Sequence, residues 1–232
     1  MNFEYAGLTD PGLLRENNED SVALDPARGV AVLADGMGGY NAGEVASGMA
    51  TAFIKSELSR WLTEAGAGVK SKEVRRAMEI CVDNANRAIY NSANSNAQYA
   101  GMGTTLVMAI FQDTRVIVGH VGDSRCYLFR GGDLYQITRD HSLLQEQLDA
   151  GLITPEEAAV SLNKNLVTRA LGVEDTVLLE AHEHVLEPED VYLLCSDGLT
   201  DMVSDEQIAQ ILATDDPLET RAKKLVDTAN AM

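Results

Sequence analysis

Between Thr104 and Thr138 the chain offers four apolar segments with no room for helices between them. Thr104–Phe111 is joined to Arg115–Val121 by Gln112-Asp113-Thr114, and Ser124–Arg130 to Leu134–Thr138 by Gly131-Gly132-Asp133. Links this short make antiparallel hairpins, whereas a parallel pair needs a crossover of a dozen residues or more. Phe3–Thr9, Ser21–Leu24 and Val30–Ala34 add strands before this run; Thr176–His184 and Asp190–Ser196 add two after it.

Helices come in pairs. Ala46, Ala50, Ile54, Leu58 and Leu62 repeat every fourth residue, beside Val45, Met49 and Phe53. Val74, Met78, Cys81, Ala85 and Ala88 make a second stripe, with Ser71 as its expected N-cap. Ser142–Ala150 suits a helix stopped by Gly151, and Thr154-Pro155-Glu156-Glu157 carries capping-box spacing with Pro at the first helical position. Ser204-Asp205-Glu206-Gln207 and Asp216-Pro217-Leu218-Glu219 announce a final pair. Strands in runs and helices in pairs predict an α+β fold: an antiparallel β-sandwich flanked by helix pairs.

The 232 residues hold 18 Lys and Arg against 36 Asp and Glu, a net charge of −18. A field of that sign repels nucleic acid and anionic membrane surfaces and attracts cations. No apolar run reaches the ~20 residues of a membrane span, and Met1-Asn2-Phe3-Glu4-Tyr5 lacks the basic and apolar regions of an export signal. Cys81, Cys126 and Cys195 are far apart and odd in number, as buried thiols of a reducing compartment would be. The expectation is a cytoplasmic, monomeric protein.

Two apolar runs lead into Asp-Gly: Val30–Ala34 into Asp35-Gly36, and Val191–Cys195 through Ser196 into Asp197-Gly198. A buried strand that stops at an Asp aims its carboxylate from a fixed position, and the glycine lets backbone approach closely. Asp35 continues as Gly36-Met37-Gly38-Gly39, and Asp197 precedes a helical segment from Leu199 on, so neither resembles a hairpin turn. Asp123, in Val121-Gly122-Asp123-Ser124, is a third such case. Carboxylates meeting at one sheet edge repel unless protons or a divalent cation lie between them, and oxygen-only ligands select Mg²⁺ or Mn²⁺. Arg15, among Glu16, Glu19 and Asp20, offers a planar fork suited to phosphate oxygens. Together they suggest metal-assisted hydrolysis of a phosphate ester. No Walker A sequence, G-x-S-x-G elbow or H-E-x-x-H occurs. His120, His141, His182 and His184 show no metal spacing beyond His182-x-His184, whose place in a strand points to solvent.

Seven segments, in order, resemble the metal-dependent protein phosphatase family (protein phosphatase 2C-like) in its short bacterial form. They begin with Gly7-Leu8-Thr9-Asp10 through Asn18-Glu19-Asp20, then Ala34-Asp35-Gly36-Met37-Gly38-Gly39 with Gly43-Glu44-Val45-Ala46-Ser47, and Met102-Gly103-Thr104-Thr105. Gly119-His120-Val121-Gly122-Asp123-Ser124-Arg125, Thr138-Arg139-Asp140-His141-Ser142, Thr168-Arg169-Ala170-Leu171-Gly172 and Ser196-Asp197-Gly198-Leu199 complete the series. The resemblance implies one phosphatase domain over 1–232, with a flap at about 141–172. It implies two Mn²⁺ or Mg²⁺ ions, bridged by Asp35, with the Gly36 carbonyl on one and Asp197 on the other. Asp20, with Glu19, would hold metal waters; Asp123 would serve a third, weaker ion; Arg15 would bind the substrate phosphate. The implied reaction is attack by a metal-activated water on phosphoserine or phosphothreonine, opposing a bacterial protein kinase.

The chain departs from the family pattern in three places. Tyr40 stands where bacterial members carry His, so a histidine role there does not transfer, and an ordinary tyrosine pKa of about 10 suits proton transfer at neutral pH poorly. Glu19 replaces the usual Gln. Members also continue past the last helix with an Asp-Asn pair and a final strand, whereas this sequence stops at Met232. The expectation is a shortened form of an active enzyme; a phosphoprotein-binding relative without turnover is the second reading.

Overall fold

The computed structural model describes residues 2–38, 42–66, 68–159, 161 and 166–232, so Gly39 and Tyr40 lie outside the described residues. Strands β1 (Asp20–Asp25) and β2 (Val30–Met37) lead into two long helices, α1 (Ala42–Ala65) and α2 (Ser71–Ser95). Five strands follow: β3 (Gly103–Thr104), β4 (Leu106–Gln112), β5 (Arg115–Val121), β6 (Arg125–Arg130) and β7 (Asp133–Gln136). Helices α3 (Leu143–Asp149) and α4 (Pro155–Ala159) precede β8 (Glu180–Val185) and β9 (Val191–Cys195). The described chain closes on α5 (Asp197–Thr200), α6 (Asp205–Leu212) and α7 (Leu218–Asn230).

The period of two in the strands sorts their side chains into layers. One sheet runs β1-β2-β4-β5-β8, with β3 pairing β2, and the other runs β7-β6-β9; every pairing is antiparallel. In the first sheet Val30, Val32, Leu106, Met108, Ile110 and Ile117 face α1 and α2, meeting Ala46, Ile54, Met78 and Ile89. Their sequence neighbours Leu33, Val107, Ala109, Val116 and Val118 point the other way, into a core shared with Cys126, Tyr192 and Leu194. The far side of the second sheet buries Val191 and Leu193 against Val203, Ile208, Leu212 and Leu225 of the C-terminal helices. The result is helix pair, sheet, sheet, helices: the α+β sandwich that the pattern of runs and pairs predicts.

Several expected boundaries shift. Phe3–Thr9 is not a strand: among the described residues no ladder pairs it, and Phe3 packs its ring on Phe111 at 5.5 Å. Its alternation supplies a face but not a partner edge, and an edge is what makes a strand. β2 does not stop before Asp35 but carries it, pairing Asp20 with Asp35 and Gly36 with Thr104. Thr104–Phe111 divides at Thr105 into β3 and β4. Ser71 is the first helical residue rather than the cap of α2; the Lys70 N–H donates to Glu73. Ile89, not Ala88, completes the buried stripe. Asp216 is not the cap of α7, which follows Pro217; its carboxylate instead pairs with Lys224. The capping boxes at Thr154 and Ser204 form as expected.

Asn86, fully buried on α2, accepts from the Gly172 N–H at 2.7 Å and donates to the Glu174 carbonyl at 3.0 Å. It therefore fixes the segment around Gly172 and Glu174 that leads into β8. Asn86→Ala strands both backbone groups, so chemical denaturation should show a loss of about 1–3 kcal/mol, or about 2–4 °C of melting temperature per kcal/mol at this chain length.

Candidate active site

Asp20 and Asp35 stand directly opposite each other on β1 and β2, an arrangement that like charges disfavour. Asp197 enters from the other sheet, as the first residue of α5 after β9. Asp123 comes from the link between β5 and β6, where the chain passes from one sheet to the other. Four acidic residues from four segments thus interact at one end of the sandwich.

Hydroxyl groups tie these segments together. Ser196 Oγ donates to Asp20 Oδ2 at 2.7 Å, joining the two sheets. The Asp35 N–H donates to Thr105 Oγ1 at 3.1 Å, and the Asp35 carbonyl accepts from the Thr105 N–H and the Thr104 hydroxyl. Thr105 Oγ1 and Ser124 Oγ are 2.7 Å apart, which links the backbone of Asp35 to the residue after Asp123. The Gly36 N–H donates to the Glu19 carbonyl, which also accepts from Ser47 Oγ. A Cβ at Gly36 would lie 2.1 Å from the Gly43 carbonyl oxygen, so the start of α1 can sit against β2 only where no side chain intervenes.

Burial is the main force on these acids, followed by their mutual repulsion. Asp35 is pushed up to about 9 by desolvation, then by Asp20, Asp197 and Asp123. Desolvation also raises Asp20, against the hydrogen bonds from Ser196 and Asp35. Asp123 rises to about 6 through desolvation and the charges of Asp197 and Asp140. Carboxyl groups this unfavourable as anions are relieved by shared protons or by cations. Their all-oxygen donor set fits hard divalent ions, as the sequence alone suggests. Among the described residues the ligand-like cluster of closest donor atoms is a different one, His120, His141 and Glu180.

At the rim, exposed Arg15 reaches Glu19 at 3.5 Å, an exposed pair of small energetic worth. The arginine is therefore free to exchange this partner for an anion. Beside the acids opens a cavity of about 260 Å³, lined by Asp123 and Asp197 together with Ser142, Leu144 and Leu148 at and within α3. Arg125 lies in that wall with both guanidinium edges committed, to Asp140 at 2.6–3.0 Å and to the Tyr127 hydroxyl at 3.0 Å.

Asp20, Asp35, Asp123 and Asp197 thus come together, and Glu19 and Gly36 lie beside them. Thr104, Thr105, Ser124 and Ser196 received no individual role from the sequence, although each flanks a singled-out acid or a neighbouring strand end. A small hydroxyl next to a buried acid was the available signal.

A protein phosphatase 2C family model matches residues 7–232. Protein phosphatase PhpP of Streptococcus pneumoniae is 39% identical over 236 aligned positions, covering 98% of this chain and 92% of the relative. Serine/threonine phosphatase stp of Listeria innocua is 37% identical, covering 96% and 88%. The crystal structure of the Mycobacterium tuberculosis serine/threonine phosphatase PstP/Ppp superposes with a TM-score of 0.88 at 38% identity, covering 98% and 92%. The catalytic domain of PstP in complex with two manganese ions gives 0.84 at 38% identity, covering 98% and 91%. This chain belongs to the protein phosphatase 2C family.

Proposed function

We propose that the chain is one catalytic domain over 1–232 that hydrolyses phosphoserine and phosphothreonine in proteins, reversing the work of a serine/threonine kinase. The observation that carries this reading is the gathering of Asp20, Asp35, Asp123 and Asp197 into one buried, mutually repelling group. The names of its relatives and the manganese-bound PstP structure support it. Asp35, Asp197 and the Gly36 carbonyl would hold two Mn²⁺ or Mg²⁺ ions. Asp20 and Glu19 would act through water, and Asp123 would serve a third ion. Such ions supply an acidified water nucleophile and neutralise charge on the phosphoryl oxygens.

The protein's own groups do the rest. Arg15 can leave Glu19 and fork onto two phosphate oxygens, which orients the ester at the edge of the acidic group. Ser196 holds the Asp20 carboxylate, and Thr105 holds the Asp35 backbone, so neither has to be ordered when substrate arrives. The flap side of the cavity leaves room for the peptide next to the phosphorylated residue.

Asp35→Asn should lower Mn²⁺-stimulated hydrolysis of a phosphopeptide by at least about 100-fold. Unchanged rates would refute the role given to this residue. The same substitution removes an anion that the folded state disfavours. A raised carboxyl pKa costs stability as pH rises from its ordinary 3.8 toward about 9. In chelator, the wild-type melting temperature should therefore fall over that window more steeply than that of Asp35→Asn, as read by calorimetry.

Arg15→Ala should raise KM for a phosphopeptide by about 10–100-fold, the worth of a charged hydrogen bond, with a smaller change in kcat. Arg15→Lys should recover only part of this, because an ammonium cannot fork. A KM unaffected by either substitution would place the phosphate elsewhere.

A further inference from the structure

His141 and its neighbours form a second polar cluster, one that the proposed chemistry leaves unused. His120, on β5, lies 1% exposed and stacks on His141 with ring centroids 4.6 Å apart and planes 16° from parallel. His120 Nε2 is 2.7 Å from the Arg139 carbonyl, and His141 Nε2 is 3.2 Å from Glu180 Oε2. The other Glu180 oxygen meets His182 Nε2 at 3.1 Å. The donor atoms of His120, His141 and Glu180 fall within 4.8 Å of one another. Even so, this is a poor metal site. Imidazole lone pairs lie in the ring plane, and two nearly parallel stacked rings cannot converge on one ion at about 2.0–2.1 Å. Both nitrogens of His141 are, moreover, already bonded.

Those bonds have a direction. The Gly122 N–H points at His141 Nδ1 at 3.1 Å, and a backbone N–H can only donate. Nδ1 must therefore carry the lone pair, which leaves the proton on Nε2, facing the Glu180 carboxylate. The His141 N–H donates in turn to the Gly122 carbonyl at 2.9 Å, so one residue holds both polar groups of Gly122. That glycine has φ +102°, and a Cβ there would meet Thr105 at 2.8 Å, so no other residue fits this close approach, and the bonds from His141 decide which of the conformations open to glycine is held. The next residue is Asp123, and the one after it, Ser124, is bonded to Thr105. The Asp123 link is thus pinned on one side by His141 and on the other by the hydroxyl pair. The His141 carbonyl also accepts from the Thr168 N–H, joining the outgoing and returning ends of the flap.

We propose that His141 is a positioning residue. As the Nε2–H tautomer, oriented by Glu180, it clamps Gly122 and so aims the Asp123 carboxylate into the acidic group while tying it to the base of the flap. The inference rests on the reading of Asp123 as a cation ligand. It differs from a packing role in requiring an acceptor at one defined atom.

Two isosteres separate the functions of the ring. The amide oxygen of His141→Asn falls near Nδ1 and can still accept from Gly122; the amide of His141→Gln falls near Nε2 and keeps only the Glu180 contact. Glu180→Ala removes the orienting carboxylate from a half-exposed position. Mn²⁺ binding is measured by calorimetry, Mn²⁺-stimulated phosphopeptide hydrolysis by initial rates, and the tautomer by long-range ¹H–¹⁵N spectra of the metal-free protein. His141→Gln should weaken Mn²⁺ binding and raise the Mn²⁺ needed for half-maximal turnover by about 10-fold or more, with His141→Asn at least partly rescued, as expected for an outer-shell group. Glu180→Ala should shift both in the same direction by less, with its melting temperature unchanged. An Nδ1–H tautomer overturns the inference. So do equal losses in His141→Asn and His141→Gln, or wild-type Mn²⁺ responses in both. Should His141→Gln fail to fold, Glu180→Ala decides: an unchanged Mn²⁺ response again overturns it. A wild-type protein that binds Mn²⁺ but hydrolyses no phosphopeptide would instead defeat the functional reading, leaving the tautomer and binding measurements to judge His141.

Discussion

Asp35 cannot be a comfortable anion where it stands. It is opposite Asp20 across a strand pair, and Asp197 and Asp123 act on it from the other sheet and from the link between sheets. An isolated hairpin would relax by turning one carboxylate to water. Here β2 is held by β1 from Val30 to Asp35, on its other side by β4 from Val30 to Leu33, and by β3 at its end. The buried face of β2 against α1 sets the register, and slipping by one residue would exchange the two faces along the strand. The hydrophobic layers thus supply the force that keeps repelling groups together, a repulsion that shared protons or cations relieve.

The hydroxyl ties determine how well the acids are aimed. Ser196 reaches across from the second sheet to Asp20, and Thr105 and Ser124 meet between the Asp35 strand and the Asp123 link. These groups satisfy buried donors and acceptors without adding charge, the one property that this region already has in excess. Arg125 and Asp140 supply a further brace beside them, and the ion pair is bidentate and partly buried rather than an isolated surface contact.

Layer order was legible in residue order. Val30, Val32 and Leu33 already alternate between two future cores, and short turns made antiparallel pairing the natural choice. Capping boxes at Thr154 and Ser204 act within four residues, so their outcome was readable too. Phe3–Thr9 was misread because alternation reports which face is apolar and not whether a strand edge waits beside it. Likewise β2 runs through Asp35 because the partners of its last residues, Thr104 and Gly103, lie far along the chain.

By itself the sequence determined the residue types at the site and the rigid apolar strands that carry two of them. Both are local matters of pattern and chemistry, and the motifs were specific enough to point to one family. Only the tertiary structure decided that Asp20 faces Asp35, that Ser196 bonds Asp20, and that His141 closes on both polar groups of Gly122. Those contacts join residues between 15 and 176 positions apart, or tie a ring nitrogen to a backbone N–H 19 residues away. Their geometry is set when two sheets pack face to face, which no local pattern encodes.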